Sequence, residues 1–336
     1  MSIFCQSLET VLVLVLLGGA GFWLAKKDVL DEKTRHNLSR ALMLVFLPAL
    51  VLAQLLPAAV GSDWKTLWII PILSFCNILF GLVLGAAAAL LGKRKGEILP
   101  SMAAMAFTNT GYVPMSLLLA LSLTNSFFSP EGNVGQAGCA YVALYLVVFS
   151  PLLWLIGYNL IAFNGAGGMK WKKCLTPPGV VALATLAVAF TPLHKLFLGP
   201  AAPLSFVFSA ASLLCDAVCP LAVVLLGASL GAVENRERIA PRYLTVFTFL
   251  KYLVAPAFSL LSLFVIRKAG IAVTPLLALV IILEGCMPPG LNLMIICQNE
   301  RKHVPFMTSL LFMSYIIFIP FLVLWLFLAF NITKNI

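Results

Sequence analysis

Two short polar stretches and three ionisable side chains carry nearly all the chemistry available to this chain. The stretches are FTNTGYVPM at 107–115 and CMPPGLNL at 286–293, each set inside a long apolar run. Asn109, Thr110 and Gly111 disfavour a continuous helix, and Pro114, Pro288 and Pro289 cannot donate to one. A helix that breaks and restarts turns unsatisfied N–H groups and a positive dipole end toward whatever faces the restart, which suits an anion such as a carboxylate. Asn109, Thr110, Gly111, Pro114, Pro288, Pro289 and Asn292 are therefore the candidate anion-binding residues, Asn292 because it lies one turn beyond Pro289. The ionisable groups are Asp216, Lys251 and Glu284. Such groups within a membrane span are rare and usually face an interior pathway. Glu284 has two readings, a carboxyl that takes up a proton or a counter-ion of Lys251, and Lys251 could equally pair with Asp216. Asn77 and Gln298 serve as well for interhelical hydrogen bonds as for ligand contact.

Catalytic chemistry finds little support. Gly227-Ala228-Ser229-Leu230-Gly231 fits the G-x-S-x-G pattern, but it ends an apolar helix where a hydrolase needs a strand-to-helix elbow. The three histidines, His36, His194 and His303, fall in loops or at span ends, so close packing of small residues explains the motif better. The eight cysteines show neither a disulfide framework nor a metal-ligand spacing. No cofactor and no metal are expected.

The elements that must hold these residues are membrane helices. The chain has 336 residues, 62% hydrophobic and 10% charged, with a mean hydropathy of +1.05, far from the composition of soluble domains. About 20 apolar residues span a bilayer, and ten such stretches occur, at 6–25, 37–58, 67–92, 98–124, 136–163, 176–198, 205–232, 243–267, 273–298 and 305–330. The first is expected to be a true span, since no Lys or Arg precedes it and no cleavage pattern follows. Sixteen of the 22 Lys and Arg residues lie in or beside odd-numbered loops, five lie in even loops or the C-terminus, and Lys251 is inside a span. That bias puts the odd loops in the cytoplasm and both termini outside. It also accounts for the net charge of +10 without nucleic acid.

An internal repeat is suggested by proline spacing. Pro100 and Pro114 recur as Pro275 and Pro289, each 175 residues on, and at nearly the same offset Asn77 matches Lys251 and Pro48 matches Pro220. Five spans per copy make the second copy inverted, and Gly/Pro-interrupted segments at matching places mark the binding site of such transporters. The predicted architecture is all-α and integral to the membrane, with ten helices as two inverted five-helix repeats, 1–165 and 176–336, and broken fourth and ninth helices that cross. On the proline register Glu284 occupies the place of Asn109.

NTGYVP at 109–114, LSRALMLVFLPAL at 38–50, CPLAVVLLGASL at 219–230 and CMPPGLNLMIICQ at 286–298 resemble the auxin efflux carrier superfamily, which includes plant PIN and PIN-like carriers and bacterial and fungal relatives. The likeness runs over nearly the whole chain, and the last motif, with LLFMSYIIFIP at 310–320, is nearest the PIN-like and fungal branches. It implies an elevator-type fold with a scaffold of about 1–60 and 176–232 and a transport part of about 67–163 and 243–330. It implies a small organic anion as cargo, an indole carboxylate or another carboxylate, with Asn109 as the crossover asparagine and Pro114 and Pro289 as the crossover prolines. The long cytoplasmic loop of many plant and fungal members is absent, since loop five covers only about 164–175. A ligand sensor on the same fold that binds without turnover is the alternative function. Coupling to a proton or to sodium, and a homodimer, are left open. A bacterial inner membrane is favoured for the compact chain, with the endoplasmic reticulum membrane as the alternative.

Overall fold

The computed structural model describes residues 3–61, 67–124, 134–162, 177–199, 202–232 and 237–333, and every regular element among them is a helix. Predicted loop five, 164–175, lies outside the described residues. α1 is Ile3–Lys26; α2 (Glu32–Ala41) runs through a π turn, Leu42–Phe46, into α3 (Leu47–Gly61). α4 is Ile69–Leu91, α5 Ile98–Ala106 and α6 Tyr112–Thr124. α7 (Val134–Leu152) passes through a second π turn, Leu153–Gly157, into α8 (Tyr158–Ala162). α9 is Pro177–Ala189 and α10 Ser205–Gly231; α11 (Pro241–Phe249) passes through a third π turn, Leu250–Val254, into α12 (Ala255–Lys268). α13 is Pro275–Cys286, α14 Asn292–Glu300 and α15 Val304–Thr333. Among the described residues six helical runs are long and apolar enough to cross a membrane alone, including Ile69–Leu91 and Val304–Thr333, and shorter apolar helices fill other predicted spans. The chain is a multi-pass membrane protein.

Local chemistry sets where these helices start, bend and stop. Asp31 caps α2, accepting from the Thr34 amide at 2.8 Å. Hydrogen bonds from Thr34 hold its carboxyl below the usual carboxylate range. A proline beside each π turn, Pro48, Pro151 and Pro256, supplies no N–H to the carbonyl four residues earlier. For Pro256 that carbonyl belongs to Tyr252, and the Trp325 indole donates to it at 2.7 Å. The sixth span is shorter than the predicted 176–198. Thr191 is extended, with φ −117° and ψ 162°, because a residue before proline avoids the helical region, and Pro192–Leu196 is a 3₁₀ turn. The 13 residues of α9 therefore reach only about 20 Å.

Glycines let particular helices touch backbone to backbone. Gly227 and Gly231 of α10 lie against Gly18 and Phe22 of α1, and a Cβ on Gly227 would land on the Gly18 carbonyl. The G-x-S-x-G pattern is thus a helix-packing motif. Gly81 and Gly85 of α4 admit the backbone of α5 at Ala106 and Met102 in the same way. α1, α3, α9 and α10 pack on one another, with Gln54 of α3 donating to Cys215 of α10 at 3.1 Å. Longer-range polar ties knit the other helices: Asn77 to Tyr145 at 3.0 Å, Ser101 with Tyr243 at 2.7 Å, and Tyr252 to the Ser314 carbonyl at 2.8 Å. At one end Arg94 bridges Glu237 at 2.6 Å, and Glu97 meets His303 at 2.9 Å, which joins the start of α5 to the turn after α14. Gly227→Val is expected to lower the thermal midpoint in detergent, at an overpacking cost of about 1–3 kcal/mol. Gly19→Ala, with nothing within 4 Å of the added atom, is expected to leave the midpoint unchanged or raised.

Candidate functional site

Both predicted interruptions exist, and they are hydrogen-bonded to each other. α5 stops at Ala106 and α6 restarts at Tyr112; α13 stops at Cys286 and α14 restarts at Asn292. The gaps lie side by side as an isolated antiparallel bridge between Thr108 and Pro289. Asn109 N donates to Pro288 O at 2.8 Å, and Gly290 N donates to Phe107 O at 2.9 Å. Thr108 and Pro289 thereby occupy the non-hydrogen-bonded position of the ladder, where an absent N–H costs nothing. Gly290 is required by proximity, since a Cβ there would sit 2.9 Å from the Thr108 carbonyl.

On one side of this bridge is a cavity of about 70 Å³, well above the space one water needs. It is lined by Thr108–Tyr112 from the first interruption and by Gly290–Asn292 from the second, so the N-terminal ends of α6 and α14 converge on it. Met43, Phe149 and Trp154 give it apolar walls, and no charged side chain contributes to its lining. Met43 and Trp154 lie in π turns, a device often found at functional sites. Asn109 is only 4% exposed, and its Nδ2 donates to the Tyr315 hydroxyl of α15 at 2.6 Å. The Thr108 and Thr110 hydroxyls are 2.9 Å apart.

On the other side is a space of about 20 Å³, lined in part by Asn77, Thr108, Tyr145, Lys251 and Glu284. Lys251 and Glu284 are each 2% exposed. The break frees the Met105 carbonyl, whose helical partner Asn109 N is spent on Pro288, and Lys251 Nζ donates to that carbonyl at 3.1 Å. The Lys251 amine thus caps the C-terminal, negative end of α5. Neither carboxylate oxygen of Glu284 has a hydrogen-bond partner among the described residues. The Thr110 hydroxyl faces it without meeting hydrogen-bond geometry.

Asn109, Thr110, Gly111 and Asn292 line the larger cavity, whereas Pro114, Pro288 and Pro289 do not. Pro114 lies in the first turn of α6, where its missing N–H was already unpaired, and the other two build the bridge. Lys251 forms an ion pair with neither candidate partner. Asp216 is exposed on α10, and Glu284 stands across the small space. The proline register is also corrected: the helix ends Ala106 and Cys286, and the restarts Tyr112 and Asn292, are each 180 residues apart. Asn109 thus corresponds to Pro289, and Glu284 lies in the last turn of a helix. Tyr145, Trp154 and Tyr315 were not singled out by sequence, and of these only Tyr315 falls inside a motif already marked; Thr108 lies in the marked stretch 107–115.

Comparison with known proteins gives the family. A family model described as membrane transport protein matches residues 6–173 and 166–326. The chain belongs to that family, the auxin efflux carrier superfamily. This carrier is 25% identical to Protein PIN-LIKES 1 of Arabidopsis thaliana, over 97% of the chain and 79% of the relative. It is 22% identical to Protein PIN-LIKES 3 of the same plant, over 89% and 90%. It is 26% identical to an uncharacterized transporter of Methanothermobacter thermautotrophicus, over 96% and 98%. The carrier is accordingly a membrane transporter and not an enzyme. Gly290→Ala is expected to destabilise the purified carrier by about 1–3 kcal/mol through overpacking. Gly111→Ala, whose added atom meets only Leu146 at an ordinary 3.8 Å, is expected to cost far less. Equal loss of thermal midpoint in the two would contradict the bridge.

Proposed function

We propose that this carrier is a secondary transporter of a small organic anion whose carboxylate binds in the larger crossover cavity. The observation that carries this reading is that two helix N-termini, from the two halves of the chain, line one cavity that has no charged side chain in its lining. Amide groups and dipole ends there offer positive potential without a counter-ion, and the low dielectric of mid-bilayer strengthens it. Asn109, Thr110 and Asn292 add side-chain hydrogen bonds, with Tyr315 holding the Asn109 carboxamide in place. Phe149, Trp154, Leu146 and Met43 are suited to an apolar body, which favours an indole carboxylate or similar acid over a dicarboxylate, whose second charge finds no cation in the lining.

Movement would take the form of an elevator. α1, α3, α9 and α10 form the scaffold, and the helices tied by the Asn77–Tyr145, Ser101–Tyr243 and Lys251–Met105 bonds travel with the crossover. The charge bias of the loops supports a cytoplasmic side for the turns around Arg94 and Lys302.

Counterflow of labelled indole-3-acetate and of malonate into preloaded proteoliposomes tests the reading. Exchange of indole-3-acetate is expected. Binding with no exchange would instead identify a sensor, and neither binding nor exchange of either acid would end the proposal. Asn109→Ala removes a buried donor and is expected to weaken affinity about tenfold, the equivalent of roughly 1.4 kcal/mol, with the thermal midpoint held near the parent value. Parental affinity in that variant would take Asn109 out of the site.

A further inference from the structure

Glu284 is not part of the anion cavity, yet it is the most costly group near it. Both its oxygens are buried without a hydrogen-bond partner in a space that has room for about one water, and a bare carboxylate at that depth is strongly disfavoured. The titratable groups facing it are Lys251 from the π turn before α12, Tyr145 from α7 and Cys286 from its own helix. Tyr315 of α15 is taken up with Asn109, and Cys76 of α4 stands next to Tyr145. Lys251 directs its bond to Met105 O and not to Glu284.

Two hydroxyls join this space to the anion cavity. Thr110 faces the Glu284 carboxyl and also lines the larger cavity. Thr108 lines both spaces and lies 2.9 Å from Thr110. We infer that Lys251, held on Met105 O, stays protonated, and that Glu284 is a proton-binding site coupled to the anion cavity through the Thr108–Thr110 hydroxyl pair, with the Lys251 charge enforcing the coupling.

The inference rests on reading the larger cavity as an anion site, and it follows from counting charge in the crossover. With Lys251 positive and Glu284 ionised, the empty crossover is neutral. With Glu284 protonated and a monocarboxylate bound, it is neutral again. A proton without the anion leaves one net positive charge, and the anion without the proton leaves one net negative charge. Net charge at mid-bilayer is costly, so only the empty and doubly loaded states cross readily. The proton comes from water on the side where the anion enters, bonds to one Glu284 oxygen, and leaves to water on the far side with the anion. Each cycle moves one monoanion and one proton with no net charge.

Replacing Glu284 by Gln separates the steps. The loaded crossover of Glu284→Gln is neutral, whereas the empty one carries the Lys251 charge, so exchange should survive while the empty return slows. In proteoliposomes the parent is expected to accumulate indole-3-acetate under an imposed proton gradient. Glu284→Gln is expected to lose that accumulation about tenfold or more, with a far smaller loss of counterflow, which also shows that the variant is folded. Calorimetry of indole-3-acetate binding in buffers of different ionisation enthalpy is expected to give about one proton taken up per anion in the parent, by linkage, and none in the variant. Parent-like accumulation in Glu284→Gln, or parental binding without proton uptake, overturns the inference while leaving the anion site intact. Infrared titration of the ligand-free carrier needs no anion. A buried-carboxyl band that appears as the pH is lowered and is missing from Glu284→Gln is expected, and a parent that shows no such difference from the variant at any pH overturns the inference even if no tested acid binds.

Discussion

Two backbone hydrogen bonds, Asn109 N to Pro288 O and Gly290 N to Phe107 O, make the rest of this architecture possible. A helix that stops inside a bilayer strands amides and carbonyls that hydrocarbon cannot satisfy, at several kcal/mol each. Either interruption alone would be such a defect. Laid antiparallel, each supplies part of what the other lacks, and the ladder register turns two prolines from a fault into a fit. The carbonyl of Pro288 accepts, and Pro289 sits where no donor is wanted. The close approach this needs is why Gly290 and no larger residue follows them.

The same accounting recurs wherever the helices depart from regularity. Met105 O, freed by the first break, is taken by Lys251, and Tyr252 O, deprived by Pro256, is taken by the Trp325 indole. Both answers come from side chains far away in sequence, and both lie on the helices that surround the crossover. Each satisfied carbonyl is also a brace: Lys251 ties its span to α5, and Trp325 ties α15 to the Lys251 span. Irregular backbone here adds cross-links to helices that also share side-chain bonds and the α4–α5 glycine contact, while α1 and α10 meet through glycines.

This distinction explains what could be read from the chain and what could not. The breakers Asn109-Thr110-Gly111 and Pro288-Pro289 were legible because their residue types oppose a helix wherever they occur. The register between the halves was not. Proline is tolerated in the first turn of a helix, where Pro114 sits, and at a non-bonded ladder position, where Pro289 sits, so equal proline spacing did not imply equal places. The partner of Lys251 was hidden for another reason: a backbone carbonyl has no sequence signature, so only the carboxylates Asp216 and Glu284 came into view. Tyr315 and Trp325 look like any aromatic in a span, and only packing separates one that holds a polar group from one that faces lipid. The short α9 was missed because the apolar run continues past Thr191 although the helix does not.

The two halves also differ in what they bring to the crossover, and the difference follows from the sides of the bridge. The first interruption carries neutral hydrogen-bonding groups, Thr108, Asn109 and Thr110, beside an α6 whose N-terminus is open to the larger cavity. The second, between Cys286 and Asn292, has two prolines and a glycine and no polar side chain, and the half that contains it contributes the buried ionisable groups Lys251 and Glu284 to the opposite side. This division of chemistry keeps ionisable side chains out of the larger cavity, onto which the N-terminal ends of α6 and α14 open. A lysine inside that cavity would bind an anion more tightly but would hold it, and a carboxylate there would repel it. Thr108 lines both spaces, so a single residue separates the ionisable side chains from the cavity.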